Sequence, residues 1–266
     1  MLKKTKHKYF WLFPVLLLLL LILGTVIYVN DDYDASADAL ALLSQDIPGI
    51  TIREESDRIV FRPQEISSGV IFYPGGKVDH RAYAPLMTQL ADRGFFCVLL
   101  KMPLKLAFFA PDAAEKVIAD YPEINSWIIA GHSFGGAMAA SYAAKHPAQL
   151  HGLVLLASYS IVDLRKSGLR VLSVYGSEDQ VLNRENYQKN RSNLPSDTVE
   201  FIIPGGNHAG FGSYGSQKGD GNALIASAEQ VRITAEKIAE NYQKPGEESL
   251  KKDSRGRIQS NHFMIY

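Results

Sequence analysis

The sequence predicts an α/β fold, with an eight-stranded, mostly parallel sheet and helices on both faces. Three observations carry this expectation. Eight short runs rich in Val, Ile, Leu, Phe and Tyr stand at 51–54, 58–61, 69–73, 95–100, from Trp127 onward, 153–157, 170–175 and 199–203. Most of these runs are continuously apolar rather than alternating, which suits strands buried on both faces. Helix-period segments separate them, and strands alternating with helices imply a parallel sheet. A length of 266 residues fits one large domain as well as two small ones, and we find neither an internal repeat nor a second domain.

The chain opens on Lys3, Lys4, Lys6 and Lys8, followed by an apolar stretch over 9–29 and then Asp31, Asp32 and Asp34. About 20 apolar residues at 1.5 Å rise cross a bilayer core. The lysines mark residues 1–8 as the cytoplasmic end, so the expectation is a single-pass signal anchor with the main domain extracytoplasmic, at the cell membrane. A cleaved signal peptide is the competing reading, because Ala35-Ser36-Ala37 has the form of a cleavage site. The apolar run is long for a signal peptide, and acidic residues separate it from that site. Residues 30–49 then read as a stalk with a short helix at 35–44.

Within the main domain, 50–243, the runs at 51–54 and 58–61 form a hairpin through Ser56-Asp57. The strand at 69–73 is broken by Pro74-Gly75-Gly76. Asp79 caps a helix running to Arg93, which Gly94 ends. A helix at 112–121 precedes Pro122. Leu224, Ile225, Ala228, Val231, Ala235, Ile238 and Tyr242 keep helical spacing and form the last helix. Residues 244–266 are a polar tail of the kind that stays disordered, with no function assigned.

Basic and acidic residues balance at 28 each, which leaves no basic footprint for nucleic acid. The single cysteine, Cys97, lies in an apolar strand and reads as a buried structural thiol. No Cys/His cluster has zinc spacing, so neither metal nor cofactor is expected.

Chemistry concentrates at Trp-Ile-Ile-Ala-Gly-His-Ser-Phe-Gly-Gly, residues 127–136. A strand runs into Gly-x-Ser-x-Gly, and a run of small residues follows with the look of a helix. That context makes Ser133 a candidate nucleophile on a tight, strained turn. A serine nucleophile needs a base, and the base needs an acid to orient it. Functional groups of an α/β sheet gather at the carboxyl ends of its strands. After 170–175 comes Gly-Ser-Glu-Asp-Gln, which offers Asp179, with Glu178 and Asp163 as competitors. After 199–203 comes Pro-Gly-Gly-Asn-His, which offers His208. The backbone N–H of Phe134 is one oxyanion donor. The second comes from the Gly75-Gly76-Lys77 turn, with Gly76 first and Lys77 next. Lys101 stands at a strand end, either as a surface cation or at the border of the site. Phe211, Tyr214 and the Gly-rich loop after them form either a pocket wall or a surface loop.

The order Ser133, Asp179, His208, with the serine after the fifth of eight strands, resembles the α/β-hydrolase superfamily over roughly 50–243. Tyr73-Pro-Gly-Gly-Lys-Val-Asp79, Lys101-Met-Pro103 and the run 205–212 resemble small membrane-anchored hydrolases grouped near the dienelactone hydrolases. Dienelactone hydrolases proper use a cysteine nucleophile, and Ser133 departs from that pattern. The superfamily has His-Gly at the oxyanion turn, where this chain has Pro74-Gly75. About a dozen residues separate the strands at 153–157 and 170–175, which leaves no room there for a large lid and implies an open, shallow pocket.

The expectation is a membrane-anchored serine hydrolase acting on a small-molecule ester, lactone or thioester through an acyl-enzyme on Ser133. An acyltransferase with the same triad is a close alternative. A non-catalytic surface binding protein on the same fold is the alternative from another class.

Overall fold

The computed structural model describes residues 12–30 and 32–243. The expected basic segment 1–8, the first residues of the apolar span and the tail 244–266 lie outside them. Eight strands form one sheet: β1 (Ile50–Glu54), β2 (Arg58–Pro63), β3 (Ser68–Tyr73), β4 (Phe95–Leu100), β5 (Trp127–His132), β6 (Gly152–Leu156), β7 (Arg170–Gly176) and β8 (Val199–Ile203). Their order across the sheet is β1-β2-β4-β3-β5-β6-β7-β8. β1 and β2 are antiparallel, β2 runs antiparallel to β4, and the remaining pairs are parallel.

The helices are α1 (Leu12–Asn30), α2 (Ala37–Leu42), α3 (Ala84–Ala91), α4 (Ala113–Asp120), α5 (Phe134–Lys145), α6 (Arg184–Asn190) and α7 (Ser227–Tyr242). Alternation along the strands divides the core into two layers. Val70, Phe72, Ile128 and Ala130 face a layer shared with Leu86, Leu90, Val231 and Ile238 of α3 and α7. Ile71, Tyr73, Trp127 and Ile129 face the opposite layer, with Val117 of α4 and Ala139 and Ala143 of α5. Both faces are therefore covered, which is why the central strands read as unbroken apolar runs. Edge strand β1 is mostly exposed and carries Arg53 and Glu54, polar residues that discourage pairing with another chain.

Several elements differ from expectation for local reasons. The predicted helix from Asp79 to Arg93 is a 3-10 turn, His80–Tyr83, followed by α3, with Pro85 in the first turn of α3. Leu224 and Ile225 fall before α7, because Ala226 takes an extended backbone at the helix entrance. β6 ends at Leu156 rather than Ala157, whose φ of 47° takes it out of the strand. α6 was not anticipated, although Asn183 caps it by accepting from the Asn186 N–H at 2.8 Å.

α1 covers most of the expected apolar span. Its side chains are described from Leu12 to Thr25 and are all exposed. That stretch is about 21 Å of helix, and among the described residues no helix is long and apolar enough to cross a membrane. Residues that follow α1 lie against the body of the protein. The Tyr33 N–H donates to Lys77 O at 2.9 Å, the Asp79 N–H to Tyr33 O at 2.8 Å, and the Ser36 N–H to Ser213 O at 2.7 Å.

Candidate active site

The chain leaves β3 toward β4 on one side and returns to place β5 on the other. The strand order reverses there, which opens a crevice at the carboxyl ends of β3 and β5. Ser133 sits at that point, between β5 and α5, with φ 52° and ψ −125°. This strained backbone is possible because two glycines let the turn close. A Cβ on Gly131 would lie 2.6 Å from Gly135 C and O, and one on Gly135 would lie 2.2 Å from Pro74 O. Two bonds fix the turn from outside: the Ser133 N–H donates to Leu156 O at 2.9 Å, and Ser158 Oγ donates to Ser133 O at 2.7 Å.

Asp179 and His208 follow β7 and β8 and meet at the same edge. His208 Nδ1 lies 2.9 Å from Asp179 Oδ2, with both residues buried. The other carboxylate oxygen, Oδ1, accepts from the N–H groups of Val181 at 2.9 Å and Leu182 at 2.8 Å. Both Asp179 oxygens thus have partners, and an ionised carboxylate, which only accepts, leaves the shared proton on His208 Nδ1. Nε2 then carries the lone pair, and it is buried with no hydrogen-bond partner among the described residues. The competing carboxylates lie elsewhere. Asp163 is exposed and paired with Arg165, and Glu178 is half-buried and accepts from Ser177 Oγ.

A buried network holds the histidine loop. Gln230 Oε1 accepts from the Asn207 N–H at 3.0 Å, and Gln230 Nε2 donates to Asn207 O at 2.8 Å. Asn207 in turn accepts from the Gly210 N–H and donates to Gly221 O. Asp220 Oδ2 accepts from the Ala209 N–H at 2.9 Å.

At the turn after β3, the Gly75 N–H donates to Tyr83 Oη at 3.1 Å and the Lys77 N–H donates to Lys105 O at 2.9 Å. The amides on both sides of Gly76 are therefore occupied, which favours Gly76 over Lys77 as a donor to a bound group. A Cβ on Gly76 would lie 3.5 Å from Phe134 Cβ, so the two candidate oxyanion residues adjoin. Lys101 is exposed and lines a cleft with Pro74, Asp79, Arg81, Leu104 and Lys105, which borders the turn after β3. Phe211 and Tyr214 are buried and pack in the core beneath the site rather than forming a free wall.

One pair beside the site was missed from sequence. His132, next to the serine, is buried, and its ring centroid is 4.7 Å from that of His208. Its Nδ1 lies 2.8 Å from Tyr83 Oη. That hydroxyl accepts from Gly75, and its own proton has His132 Nδ1 as acceptor when the His132 proton sits on Nε2. Burial, and secondarily the neighbouring His208, hold His132 well below the ordinary histidine pKa. Among the described residues, no group of three His, Cys, Asp or Glu side chains is arranged to hold a metal ion.

Known proteins agree with this architecture. A family model described as the alpha/beta hydrolase family matches residues 69–232. The chain belongs to the alpha/beta hydrolase family. A protein of Mycobacterium phage D29, described provisionally as a non-heme haloperoxidase, is 31% identical over 96 residues, 33% of this chain. The match spans about a third of that relative's length, 34%. Among solved structures, a dienelactone hydrolase from Anabaena variabilis aligns with a TM-score of 0.54 at 14% identity, covering 73% of this chain and 99% of that one. A predicted CIB-like hydrolase from Thermoplasma acidophilum aligns at 0.52 and 17%, covering 72% and 100%. These similarities carry the fold, and the family model carries the membership.

Proposed function

We propose that the protein is a serine hydrolase that cleaves a carboxylic ester, lactone or thioester through an acyl-enzyme on Ser133. The observation that carries this reading is the buried His208–Asp179 pair, at 2.9 Å, on the same sheet edge as the strained serine turn. Ser133 Oγ attacks the substrate carbonyl carbon while His208 Nε2 takes its proton. The N–H groups of Phe134 and Gly76 hold the oxyanion. Collapse of the tetrahedral intermediate breaks the bond to the leaving group, which takes the proton from His208. Water then repeats the sequence on the acyl-enzyme and frees the acid. Asp179 keeps the imidazole in the tautomer this needs and stabilises its charged form.

The reading includes membrane attachment. The apolar span over 9–29 behind four lysines anchors the chain, with the hydrolase on the extracytoplasmic side.

A fluorophosphonate probe tests the chemistry, because it labels only an activated serine. The full chain should be labelled and should turn over p-nitrophenyl butyrate. Ser133→Ala should lose both while its unfolding free energy moves by less than about 1 kcal/mol, since the turn conformation serves chemistry rather than packing. Labelling that persists in Ser133→Ala would place the nucleophile elsewhere.

A further inference from the structure

We infer that the active-site mouth is built to meet a bilayer, and that its substrate is an amphipathic ester whose apolar part stays in the membrane. This rests on the serine-hydrolase reading and on the proposed anchor.

The first observation is where α1 joins the body. The helix ends at Asn30, and Tyr33 is already bonded to the oxyanion turn through Lys77 O. Three residues of chain reach at most about 11 Å. The ion pairs of Lys105 with Asp32 and with Asp34 add a second tie between this junction and the segment after β4. No long spacer separates α1 from the catalytic edge of the sheet. An anchor so short holds that edge, and not the opposite one, near the bilayer.

The second observation is what that edge presents. The segment after β4 exposes Leu104, Phe108 and Phe109, and beside Ser133 the residue Phe134 is 41% exposed. Large apolar side chains exposed together mark an interaction surface rather than a solvated one. Leu104 and Lys105 are held in left-handed backbone, at φ 51° and 55°. That strain persists because Lys105 is fixed at both its carbonyl and its ammonium group.

The third observation links the two. Leu17, Leu20 and Leu21 of α1 line one apolar groove with Leu104, Leu106 and Phe109, about 460 Å³ in volume. Its Leu106 wall reaches the site, since a Cβ on Gly76 would lie 3.5 Å from Leu106 Cδ2. The apolar surface is therefore continuous from the proposed anchor to the oxyanion turn. A hydrocarbon tail can pass along it without crossing water, while the ester carbonyl reaches Ser133.

The test uses the full chain in vesicles of dioleoylphosphatidylcholine and two esters. One is p-nitrophenyl butyrate, dissolved in the buffer. The other is p-nitrophenyl palmitate, carried in the vesicles. Phe108 is 64% exposed and lies outside the groove lining, so its replacement spares the site. Phe108→Asp should lose about tenfold or more on the palmitate ester, through weaker contact of the mouth with the bilayer, and less than twofold on the butyrate ester. Phe108→Leu should restore the palmitate rate. Val199→Asp, at an exposed apolar position on the opposite edge of the sheet, should change neither. Equal losses on both esters in Phe108→Asp, or no loss on either, would overturn the inference while leaving the hydrolase standing. A wild-type chain inactive on both esters and unlabelled by fluorophosphonate would remove the hydrolase reading, and the inference with it.

Discussion

The loop that carries His208 and the segment that carries Leu104 lie at the same edge of the sheet, yet they are held in opposite ways. Around His208, buried polar groups bond one another: Asp179, Asn207 and Gln230 are each nearly inaccessible and each make at least two hydrogen bonds. The Leu104 segment turns apolar side chains outward and is tied chiefly through Lys105. The difference separates two tasks at one mouth. Proton transfer needs an imidazole fixed within a fraction of an ångström, and satisfied buried networks supply such rigidity. A surface that meets a soft, apolar partner needs exposed hydrocarbon more than fixed geometry.

The largest break in this comparison falls on the rigid side. Asp179→Asn keeps the shape and removes the charge. The amide would favour the wrong imidazole tautomer and would not stabilise imidazolium. By analogy with other triads, kcat on p-nitrophenyl butyrate should fall by roughly 10⁴-fold. The Val181 and Leu182 N–H groups can still donate to the amide oxygen, so the fold should survive, as far-ultraviolet circular dichroism would show. A loss under tenfold would assign the orienting role to another group.

A second substitution asks how much the network itself contributes. Gln230→Leu leaves both the N–H and the carbonyl of Asn207 buried without their side-chain partner. Each unmade bond of that kind costs about 1–3 kcal/mol, so urea unfolding should show a loss of roughly 2–6 kcal/mol. Phe108→Asp on the outward segment should cost less than about 0.5 kcal/mol in the same experiment, because surface changes rarely cost more. Equal costs at the two positions would erase the contrast.

The sequence made the scaffold legible because burial on both faces writes itself as continuous apolar runs, as in β3, β4, β5 and β6, while exposed β1 was visible only as half of a hairpin. Ser133, Asp179 and His208 were visible as candidates because each follows a strand directly, so local pattern was enough. The Gly75–Tyr83–His132 chain was not, since it joins residues from three elements, with Tyr83 and His132 separated by 49 positions. Nothing local marks Tyr83 as a donor to a histidine beside the serine. The outward turn at Leu104 was hidden for another reason. Positive φ there is imposed by bonds from Lys77 and to Asp32, not by a glycine that could be read from the chain. Leu224 misled the placement of the last helix because helical spacing does not reveal where an extended residue interrupts it.

A further effect on the rigid side, smaller than that of Gln230, concerns its buried neighbour His132. Its pKa in the folded protein lies well below the ordinary value, so the folded state resists the proton that the unfolded chain accepts. The sign follows directly: below about pH 6.5 the unfolded state binds more protons at this residue, and stability falls as pH falls. Above that value the His132 contribution is fully present. His132→Asn removes the titration while Oδ1 can still accept from Tyr83. The variant should be less stable than wild type at pH 8, through lost packing against Phe211 and His208. Between pH 8 and pH 5 that gap should shrink by roughly 1–2 kcal/mol, because only the wild type carries the penalty. Urea midpoints of both proteins at the two pH values read it out. A gap that stays constant would mean that His132 accepts its proton in the folded state as readily as in the unfolded chain. Burial beside His208 would then not hold the imidazole neutral.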